Sequence, residues 1–137
     1  MNLFAATPGV LKRFAILAAV AVFPFGAMAD VRSDAAQALE MWQPTSIKYS
    51  NGTLTVVLPQ QRITEDIYTA ALSNGLCLGT LYGKDFSAVK EFVVLNRHGA
   101  QGYVYERGGT DCEAILDEDQ RRFKDLRIHI LGATHWY

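Results

Sequence analysis

The chain has 137 residues, half of them hydrophobic and a fifth charged, with a formal net charge of −1. Such a chain is a single domain with room for a processing segment; it is too apolar for a disordered tail and too short for a dinucleotide-binding or barrel enzyme. The near-neutral balance gives no electrostatic support to a nucleic-acid function.

The first 29 residues read as a cleaved signal peptide. Lys12 and Arg13 precede an unbroken apolar run from Phe14 to Phe23, followed by Pro24, Gly26 and the triplet Ala27-Met28-Ala29, whose small first and third residues suit a signal peptidase. The apolar run is far shorter than the roughly 20 residues that span a bilayer. A cut after Ala29 leaves residues 30–137 as one domain of net charge −3, from 11 basic and 14 acidic side chains. The expected location is the bacterial periplasm or the medium, with no membrane span after cleavage. Cys77 and Cys112, the two cysteines, both fall in the exported part. In an oxidising compartment they are expected to pair, and the absence of a C-x-x-C or of a nearby histidine argues against a thiol or zinc site.

The exported part opens with a helical pattern. Ser33 reads as the N-cap, and Ala35, Ala38, Leu39 and Trp42 form one apolar stripe that Pro44 terminates. Asn51-Gly52 between two alternating segments is the signature of a type I′ hairpin, pairing Ser50 with Thr53, Tyr49 with Leu54 and Ile47 with Val56. It also makes Asn51-Gly52-Thr53 a formal glycosylation sequon, which the turn itself explains. A second helix is expected after Thr64 as N-cap, with Glu65 and Asp66 in its first turn, Ile63 stapled onto Tyr68, and Asn74-Gly75 at its end. Leu76 to Tyr82 then reads as a strand.

A second hairpin is expected from Val89–Asn96 and Gly102–Arg107. Opposing Asn96 to Gly102 pairs Leu95 with Tyr103, Val93 with Tyr105 and Glu91 with Arg107, and puts Phe92, Val94 and Val104 on the other face. Thr110 to Glu113 has capping-box spacing before a short helix holding Ile115, Leu116 and Phe123, with Asp117/Arg121 and Glu118/Arg122 as pairs on its face. Leu126, Ile128 and Ile130 alternate with Arg127 and His129 as a last strand before the tail Gly132–Tyr137. The fold class is α+β: a mostly antiparallel sheet of about five to six strands, with two to three helices packed mainly on one face.

Motifs for catalysis, phosphate cradling or metal binding are absent, so no cofactor or metal is implied and no residue is assigned a catalytic role. Composition carries more: all six tyrosines and both tryptophans lie after residue 29, where only Phe86, Phe92 and Phe123 remain of the seven phenylalanines. Tyrosine, tryptophan and arginine are the residues of recognition surfaces. Arg97 and His98 at the hairpin tip, with Tyr103, Tyr105 and Arg107, form the expected binding face, exposed and separate from the core. The reading is an exported, non-catalytic interaction protein, such as an inhibitor, immunity factor or envelope-assembly accessory, with a protein partner in the envelope. The competing reading is a small exported hydrolase using His98 with an acid such as Asp111.

Overall fold

The computed structural model describes residues 26–121 and 123–137, with side chains for 30–117 and 124–137. Residues 1–25 of the leader read in residues 1–29 therefore lie outside it, as do the side-chain pairs Asp117/Arg121 and Glu118/Arg122 and the packing of Phe123. Five strands form one sheet in sequential order, β1 (Ser46–Ser50), β2 (Thr53–Val57), β3 (Glu91–Leu95), β4 (Gly102–Tyr105) and β5 (Thr134–Trp136). All neighbours are antiparallel except β2 and β3. A parallel pair needs a crossover, and the connection between these two is helical, beginning with α2 (Glu65–Ala70). The other helices are α1 (Gly26–Ala38), α3 (Cys112–Arg121) and α4 (Phe123–Leu131). The α+β class stands, with more helix than the sequence reading expected.

The principal core lies between the helices and one sheet face. Val31, Ala35 and Leu39, Tyr68, Leu72 and Leu76, and Ile115, Leu126 and Ile130 meet Leu54, Val56, Phe92, Val94, Tyr103 and Tyr105 there. The opposite face carries a smaller cluster of Val93, Leu95 and Val104 with Val57 packed against it, and no described helical residue belongs to it.

The first hairpin has the expected register, with Asn51 and Gly52 both at positive φ (51° and 82°), as a type I′ turn demands. Helix α1 is already formed at Gly26, so Ser33 is an interior residue rather than its cap; its hydroxyl accepts a bond from Gln37 Nε2. The apolar stripe is the packing face all the same. Thr64 caps α2 as expected, its hydroxyl accepting from the Ile67 amide.

Asn74-Gly75 does not end the second helix. The chain continues through a π-helical stretch, Ala71–Cys77, to a 3₁₀ turn at Thr80–Tyr82, so Leu76–Tyr82 is helical and not a strand. The glycines serve packing here. A Cβ on Gly75 would stand 2.6 Å from Leu39 Cδ2, and one on Gly79 would stand 2.9 Å from Ala38 Cβ, so their absence lets this helix lie directly on α1. Leu126–Ile130 is likewise helical. Leu126 and Ile130, four apart, are buried while Ile128 is exposed, a helical period that also contains every other apolar residue of the segment. The last strand lies instead in the tail.

The β3–β4 hairpin is shifted by one residue from the expected register. Leu95 opposes Gly102, Val94 opposes Tyr103 and Phe92 opposes Tyr105. Asn96 closes the shorter loop: its amide donates to the Gln101 carbonyl (2.7 Å) and its Oδ1 accepts from the amides of Ala100 and Gln101. Because side chains alternate, a one-residue slip exchanges faces. Tyr103 and Tyr105 join Phe92 and Val94 beneath the helices, and Val104 joins Val93 and Leu95. The expected Glu91–Arg107 pair is absent too; Glu91 accepts from the Thr53 hydroxyl at 2.7 Å.

Thr69 on α2 has a buried hydroxyl without a hydrogen-bond partner among the described residues. An unsatisfied buried hydroxyl costs about 1–3 kcal/mol, and valine keeps its shape without that cost. Thr69→Val is expected to raise stability by about 1 kcal/mol, read as a higher urea midpoint at unchanged slope; a lower midpoint would mean that the hydroxyl is satisfied in solution.

Candidate functional site

The residues singled out in the sequence do not form one surface. Arg97 and His98 sit exposed on the β3–β4 loop, where Arg97 Nε donates to His98 Nε2 at 3.2 Å. Tyr103 and Tyr105 are core residues, 5% and 0% exposed, so the expectation of an exposed tyrosine face fails through the register slip. Arg107 lies past the other end of β4, its Nη1 3.4 Å from His129 Nε2.

Asp111, the acid proposed as a partner of His98, is engaged elsewhere. His129 Nε2 lies 2.7 Å from Asp111 Oδ2, and the Tyr105 hydroxyl donates to the same oxygen. Burial pushes the Tyr105 phenol up, and its bond to the carboxylate pushes it further. This cluster joins β4, the turn Gly109–Asp111 and α4, and neither cysteine is a free thiol that could serve it: Cys77 and Cys112 are bonded to each other with Cα atoms 4.8 Å apart.

The arrangement most like a binding site lies at the β5 edge. Tyr68, Tyr103 and Trp136 stack in series, with ring centroids 4.9 and 4.8 Å apart. Tyr68 is fully buried, whereas Trp136 is 63% exposed. The stack ends in an aromatic platform held from below. Beside it a groove of about 400 Å³ is lined by Arg62, Thr64, Glu65, Asp66, Tyr103, Arg127 and Trp136. A smaller hollow of about 140 Å³ shares Glu65, Tyr103 and Trp136 and extends to Thr134 and His135.

Each wall of the groove is positioned by local structure. The first turn of α2 presents Glu65 and Asp66 where acids favour the helix dipole. Arg127, one helical turn from the C-terminus of α4, reaches both: its Nη1 donates to Asp66 Oδ1 at 2.5 Å and its Nη2 to Glu65. These partners, Asp66 first, push the Arg127 guanidinium up and keep it charged. Arg62 has no ion-pair partner among the described residues, and its backbone is fixed because the Gln101 side chain bonds both the amide and the carbonyl of Ile63 (2.8 and 2.9 Å). Burial raises the Tyr103 phenol, and Glu65 raises it further against the opposing effect of Arg62 and Arg127, so its hydroxyl stays protonated at neutral pH.

In the sequence Glu65 and Asp66 are helix-start signals, adjacent rather than facing as a pair of acids, and Arg127 falls on the polar phase of an expected strand. The signal for this site was the aromatic pair Trp136-Tyr137, which a short edge strand leaves at 63% and 62% exposure. Among the described residues no group of three or more His, Cys, Asp or Glu is placed to hold a metal ion, and no helix is long and apolar enough to cross a membrane. Comparisons with family models, curated proteins and solved structures return no match for this chain.

Proposed function

We propose that the protein is a non-catalytic recognition module of the cell envelope or medium, and that its ligand seats in the groove beside Trp136. The observation that carries this reading is the exposed indole, backed by two tyrosines in series and bordered by Arg62 and by the ion-paired Arg127, Glu65 and Asp66. A rigid aromatic ring, or a guanidinium already held by ion pairs as in Arg127, loses little entropy on binding, and aromatic and arginine side chains dominate recognition surfaces. The Cys77–Cys112 bond supports an oxidising compartment.

The test is photo-cross-linking in the producing cell, with a benzophenone side chain at the exposed Tyr137, next in sequence to Trp136, or at Lys48 on the opposite edge strand. A discrete adduct from position 137 alone, lost in Arg62→Ala at unchanged thermal midpoint, is the expected result. Identical adducts from both positions, or none from position 137, would overturn the reading.

A further inference from the structure

The groove differs from an ordinary small-molecule pocket in its polarity. Five of its seven lining residues carry a charge or a hydroxyl group beyond the two aromatics, and the charges cancel, Arg62 and Arg127 against Glu65 and Asp66. That balance disfavours phosphate-rich or nucleic-acid ligands, which require uncompensated cations. An apolar peptide helix needs an apolar groove, and β5, three residues long, is too short an edge for strand addition. Aromatic area is concentrated in one flat, outward indole.

Resting on the recognition reading above, we propose that the groove's occupant is a neutral saccharide chain, with one sugar ring stacked on Trp136 and its hydroxyls bonded by Arg62, Glu65, Asp66 and the Tyr103 hydroxyl. A pyranose ring has one face of C–H bonds with slight positive charge, which an aromatic face attracts through its quadrupole. Its rim of hydroxyls both donates and accepts. Carboxylates take the donated bonds, while guanidinium and phenol groups supply donors, so a mixed and mutually neutralised rim matches a sugar as neither an all-basic nor an all-apolar rim would. The two hollows share Glu65, Tyr103 and Trp136 as walls, and the larger one falls within the roughly 300–1,000 Å³ of small-ligand sites. Arg127, tied to both carboxylates, holds their oxygens in place before the ligand arrives.

The experiment titrates the purified protein with cello-, chito-, malto- and mannotetraose while following its two indole N–H resonances by NMR, with Trp42 as the internal reference. The expected result is a saturable shift of Trp136 with at least one tetraose and none of Trp42. Calorimetry should show affinity at least about tenfold weaker in Trp136→Ala, or roughly 1.4 kcal/mol. Arg62→Ala, at an exposed loop position, should weaken binding while leaving the thermal midpoint unchanged, which covers the case of a poorly folded tryptophan variant. No Trp136 shift with any of the four sugars overturns the saccharide assignment. If position 137 still cross-links to a polypeptide, that assignment alone fails; if it yields no adduct either, the recognition reading fails with it.

Discussion

Replacing both Cys77 and Cys112 with alanine is expected to lower stability by roughly 2–4 kcal/mol, because the cross-link closes a 35-residue loop and restricts the unfolded chain. For a domain of this size the thermal midpoint should fall on the order of 15 °C. The location of the bond adds to the effect. Cys77 ends the π-helical stretch and Cys112 begins α3, both almost fully buried, so the bond fastens the α3–α4 pair to the helix that follows β2. Reducing the wild-type protein should produce a similar loss without removing side-chain volume. Denatured, unreduced protein should contain no free thiol and reduced protein two per chain. An unfolding midpoint indifferent to reductant would sink this prediction.

Gly102→Ala is expected to be at least as damaging, about 4 kcal/mol or more, a size reached only when backbone or core must be rebuilt. A Cβ at this position, at the hairpin end of the β3–β4 ladder, would stand 1.8 Å from the Val94 carbonyl oxygen and 2.8 Å from its carbon. Neither atom belongs to a flexible side chain, so relief requires the strands to separate. The Gly102 carbonyl also accepts the Tyr137 amide at 3.1 Å, so the disturbance reaches the β5 end and the groove. Gly99→Ala is the comparison: φ there is +65° but nothing lies within 4 Å of the added carbon, and only the left-handed backbone cost of about 1 kcal/mol applies. Equal denaturation midpoints for the two variants would show that the ladder yields more easily than its geometry implies.

What the residues determined by themselves was whatever rests on interactions between near neighbours. Asn51-Gly52 specified a turn whose two positive φ angles set the first hairpin's register, Thr64 specified the start of α2, and the apolar stripe from Ala35 to Trp42 specified a packing face. The cysteine pair followed from counting, since two cysteines can make only one intrachain bond. Tertiary structure decided the rest. Asn74-Gly75 has the composition of a helix end, yet Gly75 is present because Leu39 and Trp42 press against it, a contact 33 to 36 residues away. Leu126-Ile128-Ile130 fits periods of two and of nearly four alike, and only the core beneath Leu126 and Ile130 selects the helix. The second hairpin has no obligatory turn dipeptide, so its register was chosen by the Asn96 side chain and by the greater burial gained when Tyr103 and Tyr105 face the helices. A one-residue difference there moved the tyrosines from surface to core. The groove of Arg62, Glu65, Asp66, Arg127 and Trp136 draws on segments up to 74 residues apart, and no local pattern encodes such a meeting: it exists because α2, α4 and β5 converge on one edge of the sheet.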